Sequence, residues 1–157
     1  MPVSQINSNS LASGVPARSN MPAGSVLQVV RNGAVLPTTT FSSSSYVDSG
    51  ASVTITPSSS NSRIMLLFRS PRQSYSGGAP SANYRFYRNT TGIGNDPQTQ
   101  NNLDDSRYGY SMSMFFIDTP NTTSSITYRI YARVASGTNF SFSGDDAYEF
   151  IAMEIAG

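Results

Sequence analysis

Two pairs of adjacent aspartates are the residues in this chain with the clearest potential for chemistry. Asp104-Asp105 lies in a stretch rich in Asn and Gln, and Asp145-Asp146 directly follows Gly144. Paired carboxylates can act as acid and base in glycoside hydrolysis, or can bind Ca²⁺ or Mg²⁺ together with neutral oxygens. Both pairs stand where turns are predicted, and aspartate is common in turns without such a role. We therefore interpret them as polar turn residues, with a cation site as the alternative and catalysis as the third reading.

The side chains that most enzymes use are absent from the sequence. The 157 residues contain no His, Cys, Lys or Trp. Imidazole and thiolate are the usual ligands of zinc, copper and iron, and they are also the commonest nucleophiles and bases near neutral pH. A Schiff-base lysine and a P-loop lysine are excluded as well. The composition predicts a binding or assembly module that is not an enzyme, with no catalytic residue, no metal and no cofactor.

The charge balance limits the partners of the chain. Ten Arg and nine acidic residues give a net charge of +1, and charged residues make up 12% of the sequence, about half the usual share. Nucleic-acid binding favours a strongly basic face, which this balance does not indicate. No stretch reaches the ~18 apolar residues of a membrane-spanning helix, and the N-terminus lacks the features of a secretory signal. We therefore expect neither nucleic acid nor a membrane as a partner.

The hydrophobic pattern indicates short strands separated by turns. Apolar and polar residues alternate in most segments, and no segment has a helical period. We predict an antiparallel two-sheet β-sandwich of the jelly-roll type over residues 23–157, preceded by an extended arm over residues 1–22. Eight or nine strands are expected, with long loops at 70–82 and 89–108. The expected strands are 25–30, 38–41, 47–56, 63–69, 83–88, 109–118, 126–134, 138–143 and 148–155.

Some of these strands carry more apolar and aromatic side chains than a single sandwich needs. Arginine alternates with aromatic residues along 83–88 and 126–134, a composition typical of protein–protein contacts. Ordinary surface and contact with a glycan or nucleic acid are the alternatives. Along the strand at 109–118, Met112, Met114 and Phe116 lie on one face, with Phe115 and Ile117 opposite. Core packing is the first interpretation, and the two apolar faces suggest that one meets the other sheet and one meets a neighbouring subunit. The predicted subunit-interface residues are Tyr84, Phe86, Tyr87, Tyr128 and Tyr131.

Several stretches, taken in order, resemble a short β-sandwich module of tailed-bacteriophage virion proteins, common at the ends of tail-fibre-like chains. They are PAGSVLQVV at 22–30, VDSG at 47–50, VTITPSS at 53–59, SRI at 62–64, DTP at 118–120, TT at 122–123, ITYRI at 126–130 and the ending AMEI at 152–155. The resemblance covers residues 22–157. It implies a β-sandwich that assembles as a homotrimer on a virion, and it brings no catalytic residues with it.

The short segment before the module favours one location on the virion. In long fibre chains a shaft or an attachment domain precedes the module, whereas here about 22 residues do so. We therefore expect a capsid decoration (cement) protein on the capsid exterior, bound to the major capsid protein or another virion protein. The alternative is a tail-fibre tip in which the loops bind a host surface glycan. The predicted capsid-binding residues of the arm are Val3, Ile6, Leu11, Val15 and Arg18.

Overall fold

The chain is all-β. The computed structural model describes residues 21–76, 81–101 and 111–157, and within these ranges there is no helix. No helix of the described residues is therefore long and apolar enough to cross a membrane. The strands are β1 Val26–Asn32, β2 Thr39–Phe41, β3 Val47–Ile55, β4 Arg63–Arg69, β5 Gln73–Ser76, β6 Ser81–Arg88, β7 Thr91–Asn101, β8 Ser113–Asp118, β9 Ile126–Ser136, β10 Asn139–Phe142 and β11 Glu149–Ile155.

The strand order is that of a jelly roll. One four-stranded sheet has the order β1-β11-β4-β8, another has the order β3-β9-β6-β7, and all their pairings are antiparallel. If β2, β5 and β10 are set aside, the other eight strands lie first-eighth-third-sixth in one sheet and second-seventh-fourth-fifth in the other. Two four-stranded antiparallel sheets interleaved in this way form a jelly roll. The predicted fold class is confirmed.

Alternation along the strands builds the core between the two large sheets. In β4, β9 and β11 every second residue is buried, and the residues between them are exposed or half-buried. This is the period of a strand with one face on a core. The larger residues of this core include Val53, Ile55, Ile64, Leu66, Phe68, Phe86, Met114, Ile126, Tyr128, Ile130 and Phe150.

A third, small sheet of order β2-β10-β5 adds an aromatic cluster to the core. The rings of Phe41 and Phe140 stack at a centroid distance of 4.7 Å, and Tyr84 packs against both Phe140 and Phe142. The Tyr84 hydroxyl donates a hydrogen bond to the side-chain oxygen of Gln73, which is itself fully buried. The polar end of Tyr84 is thus satisfied inside an apolar environment.

The two predicted long loops each contain a strand, so those two predictions are wrong. β5 lies within 70–82, and β7 lies within 89–108. The sequence of β5, QSYS, is too polar to be predicted as a strand. Its pairing with β10 holds it in the extended conformation. β7 is rich in Gly, Asn and Gln and is defined by pairing with β6. Propensity is a weak guide where pairing with a neighbouring strand decides the conformation.

Candidate assembly surfaces

The outer face of the β1-β11-β4-β8 sheet is apolar over its whole width. One row of laterally paired residues crosses all four strands as Val29, Met153, Met65 and Ile117. The next row consists of Arg31, Ile151, Leu67 and Phe115. We call the seven apolar members of these two rows the apolar face: Val29, Met65, Leu67, Phe115, Ile117, Ile151 and Met153.

The apolar face is open to solvent in the single chain. Phe115 is 71% exposed, Val29 is 56% exposed and Ile117 is 48% exposed, while the other four members are half-buried by their neighbours. Only one face of β4 meets the core, although its nearly continuous apolar sequence is typical of a strand buried on both faces. Isolated exposed apolar residues are ordinary, but a contiguous apolar patch is typical of an interaction site.

Charged side chains border the apolar face: Arg31 and Arg69 are paired within the chain, and Arg63 is exposed on the same face of β4, beside Ile155. Arg31 forms two hydrogen bonds with the carboxylate of Glu149, at 2.7 and 2.5 Å. Arg69 donates to the carbonyl oxygen of Ala147 at 2.7 Å and lies 3.7 Å from Asp146. Between this border and the apolar residues lies a shallow groove of about 240 Å³, whose lining includes Leu67, Phe115 and Ile151. The face thus has an apolar centre with a polar border, and the border charges Arg31 and Arg69 are neutralised by carboxylates of the same chain.

The outer face of the opposite sheet has a different chemistry. The rings of Tyr87 and Tyr131 stack at a centroid distance of 3.8 Å, and the guanidinium of Arg133 lies 5.1 Å from the ring centroid of Tyr46. Tyr46 also lies 6.4 Å from Tyr87. We call this group, with Arg129, the tyrosine–arginine face. Arg129 is bonded to Asp48 at 3.0 Å, so part of its charge is compensated.

The structure separates the five predicted interface residues into two groups. Tyr84, Phe86 and Tyr128 are fully buried between the sheets, so they are not available to a partner subunit in this fold, and the prediction is corrected for them. The alternation along these strands was predicted correctly, but the side that carries Tyr84, Phe86 and Tyr128 faces the core. Tyr87 and Tyr131 occupy the outer face, and their role as interface residues stays a prediction. For Met112 and Met114 the predicted core position is confirmed.

The described aspartate pair is engaged by arginine. The carboxylate of Asp145 accepts hydrogen bonds from Arg72 at 3.0 and 3.2 Å, and Asp146 accepts one from the backbone N–H of Arg72 at 2.8 Å. The hydroxyl of Ser143 and the Arg72 guanidinium together hold the pKa of Asp145 below its usual range. Bound arginine occupies the oxygens that a cation would need, which favours the interpretation as turn residues. No group of three or more acidic residues in the described ranges is arranged to hold a metal ion.

Two groups of predicted residues lie outside the described ranges. They are the second aspartate pair, Asp104-Asp105, and the arm residues Val3, Ile6, Leu11, Val15 and Arg18.

A buried carboxylate connects three distant segments, and within the described part of the chain its hydrogen-bond donors are all uncharged. Glu154 is fully buried, and its two oxygens accept four hydrogen bonds of 2.6–2.7 Å from the side chains of Gln28, Ser58 and Ser62 and the backbone N–H of Ser58. Burial alone would raise the pKa of Glu154, but the hydrogen bonds from the two serines and Gln28 outweigh it and hold the pKa below its usual range. A carboxylate that accepts several hydrogen bonds remains ionised even when it is buried.

A second polar cluster joins β6, β8 and β9. Asp118 is almost fully buried and accepts hydrogen bonds from the Tyr128 hydroxyl at 2.7 Å and from Arg88 at 3.2 and 3.3 Å. Burial, together with the adjacent carboxylate, raises the pKa of Tyr128. The cluster therefore stabilises the packing of the three strands, and the Tyr128 hydroxyl acts as a hydrogen-bond donor to Asp118.

The motifs that carry the family resemblance coincide with these polar clusters. Ser58 and Ser62, in the TPSS and SRI motifs, bond to Glu154 of the terminal AMEI motif. Asp118 begins DTP and bonds to Tyr128 of ITYRI. In VDSG, the Ser49 hydroxyl donates to the carbonyl of Ile130. These residues of the motifs fix the strands to one another, whereas Val29 and Met153 of the first and last motifs lie on the apolar face.

Comparison with known proteins gives likenesses of chain shape only. No protein-family model matches the chain, and no curated protein is significantly similar to it. The solved structures that match include the VP2 subviral particle of infectious bursal disease virus, at 14% identity and a TM-score of 0.41 over 83% of this chain and 33% of that chain. Dimeric latent PorU from Porphyromonas gingivalis matches at 13% identity and a TM-score of 0.40, over 86% of this chain and 14% of that one.

The Gx strain of infectious bursal disease virus matches at 13% identity and a TM-score of 0.31, over 92% of this chain and 42% of that one. The chain thus spans less than half the length of each of these matched structures. At these TM-scores the likenesses carry no weight for function.

Proposed function

We propose that this chain is a structural protein of a bacteriophage virion, a homotrimer that decorates the capsid exterior. The observation that carries the proposal is the apolar face, an exposed surface that crosses all four strands of one sheet. A surface of this kind is stable in water when another protein covers it. The resemblance of its motifs to phage virion modules supports placing this assembly on a phage virion.

Attachment to the capsid is assigned to the arm. Residues 1–22 contain few apolar side chains, so they suit an extended contact across a neighbouring protein and not a core element. Three such contacts on one trimer reinforce one another, because the first bound arm holds the other two near their sites. Weak individual contacts thereby produce durable binding to a capsid.

The proposal is tested by attachment to particles that lack the protein. The full chain and a variant lacking residues 1–22 are mixed with such particles, and the bound protein is quantified after sedimentation. We expect the full chain to bind and the truncated variant to lose binding while keeping the β-rich circular dichroism spectrum of the full chain. Equal binding by both variants would show that the arm is not the attachment site. No binding by either would contradict capsid decoration.

The second candidate is host recognition at a tail tip, and the tyrosine–arginine face favours it. Stacked phenol rings beside guanidinium groups can pack against a sugar ring and bond to its hydroxyls. The test is binding of labelled full chain to host surface polysaccharide, compared with the variant Tyr87→Ser/Tyr131→Ser. Binding that the variant loses would favour the tail location. Absence of binding by the unmodified chain would remove this candidate.

A further inference from the structure

The apolar face has the size and composition of the centre of a protein interface. With strands ~4.8 Å apart and a two-residue repeat of ~6.7 Å along each strand, two rows across four strands cover on the order of 300 Å². Val26 and Ile155 extend the apolar surface at one end, where they pair across β1 and β11. A standard interface buries about 800 Å² on each partner, with an apolar centre and a polar border. The apolar face is smaller than a whole standard interface and corresponds to the apolar centre of one, with the charged residues as its border.

The border charges indicate what kind of partner fits. Arg31 is bonded to Glu149 and Arg69 lies beside Asp146, so each of these cations is balanced by a carboxylate of the same chain. At this end of the face the border therefore attracts neither an acidic nor a basic partner strongly, and Arg63 at the other end is a single exposed cation. The complement that the face favours is another apolar surface with paired charges and the twist of a β-sheet. A second copy of this chain presents such a surface.

The edge of the sheet permits the approach of a second copy. β8 is the last strand of its sheet, and it carries Phe115 and Ile117, two of the most exposed apolar residues of the face. Because Phe115 stands at the corner between the face and the strand edge, a neighbouring molecule can cover it without displacing β4 or β11. Two sheets packed face to face stand ~10 Å apart, a distance that side chains of this size fill.

We infer that the apolar face is the contact between copies of this chain, with Phe115 and Ile117 at its most exposed edge. The inference rests on the proposed function in one respect, since it places the subunit contact of the proposed homotrimer on this face. It moves that contact away from Tyr84, Phe86 and Tyr128, which lie in the core. In a closed trimer the contact is heterologous, so the β8 edge of the face in one copy would meet a different part of the face in the next copy around the three-fold axis.

The test is sedimentation equilibrium of the purified full chain, without particles, over a range of micromolar concentrations. We expect the unmodified chain to be oligomeric. The variant Phe115→Ser/Ile117→Thr should have a self-association constant lower by about tenfold or more, as for truncated residues at the centre of an interface. The matched control Val47→Thr/Thr54→Ser changes exposed residues of the opposite sheet and should remain as associated as the unmodified chain.

A cross-linking measurement covers the case in which the double variant fails to fold, as judged by circular dichroism. The chain has no cysteine, so Leu67→Cys provides a single thiol on the apolar face and Thr54→Cys provides one on the opposite sheet. A short bismaleimide should link Leu67→Cys chains to one another and leave Thr54→Cys chains unlinked. An unmodified chain that is monomeric throughout, a double variant that stays associated, or equal cross-linking of both cysteine variants would overturn the inference.

Failure of this inference is distinguishable from failure of the proposed function. If the unmodified chain is a monomer and decorates particles, and Phe115→Ser/Ile117→Thr no longer binds them, the face contacts the capsid directly. That result would overturn self-contact at the face and leave the virion role intact. Self-association through the face in a protein that is absent from virions would support self-contact at the face and contradict the virion role.

Discussion

At the scale of single residues, the most important polar side chains are buried and stabilise the fold through hydrogen bonds. Glu154 is ionised inside the fold because four donors surround it. From the sequence, alternation could place Glu154 only on the same face of the last strand as Phe150 and Ala152. Its partners are 92 to 126 residues away in the chain, and nothing in the local pattern connects them. The burial of Tyr84 and Tyr128 was missed for a related reason, since alternation defines two faces without saying which one is inside.

Replacing the carboxylate of Glu154 should destabilise the fold. In Glu154→Gln the new amide N–H would oppose the amide of Gln28, which also donates to the carbonyl of Thr56 at 2.7 Å. Loss of a charge-assisted bond and an unfavourable donor pair should lower the free energy of unfolding by about 2 kcal/mol. Urea unfolding measures this. The matched control is Glu149→Gln on the same strand, whose exposed ion pair with Arg31 should leave the midpoint nearly unchanged. Equal effects of the two substitutions would contradict the role of Glu154.

The same carboxylate makes stability depend on acid pH. Because the pKa of Glu154 is lower in the folded chain than in the unfolded one, protonation favours unfolding. The stabilisation is complete above the unfolded value, about 4.3, and it is lost as the pH falls through the lower folded value. The difference in unfolding free energy between the unmodified chain and Glu154→Gln should therefore shrink below about pH 4.3. Urea midpoints of both proteins from pH 7 to pH 3 test this. A difference that stays constant over this range would be inconsistent with the account.

At the scale of elements, strands with strong alternation could be predicted from the sequence and strands defined by pairing could not. β4 was predicted at residues 63–69, where the structure has it, and β3, β9 and β11 differ from their predicted bounds by one or two residues. β5 and β7 lack an apolar period and take their conformation from β10 and β6. The apolar face became visible only in the assembled sheet, because its members come from four separate strands.

A glycine in β7 should be costly to replace because it lies against a side chain of β8. Gly94 has φ +70°, and a Cβ there would lie 2.9 Å from the ring of Phe116. Gly94→Ala should therefore combine backbone strain with a clash and lower the free energy of unfolding by roughly 1–3 kcal/mol. Gly50→Ala is the matched control, because Gly50 has a similar φ of +84° but a Cβ there would meet only Leu36 at 3.5 Å. Chemical denaturation of both variants should show the larger loss for Gly94→Ala; an equal or smaller loss would contradict the close contact.

At the scale of the whole molecule, the proposed roles belong to different parts of the chain. The apolar face is assigned to contact between copies, and the tyrosine–arginine face remains exposed in such an assembly. The arm is assigned to the capsid. A decoration protein needs a rigid body, a way to associate with itself and a way to attach, and each is assigned to a different part of the chain.

The amount of this chain in purified virions tests the central claim most directly. Under the proposed function, virions of the phage that would encode the chain are washed at high salt, and the chain and the major capsid protein are quantified together by mass spectrometry against labelled peptides. A capsid decoration trimer predicts a fixed ratio to the major capsid protein, with copies in multiples of three. A complement of only a few copies would support the tail location in its place. Absence of the chain from washed virions would contradict a structural role in the virion altogether.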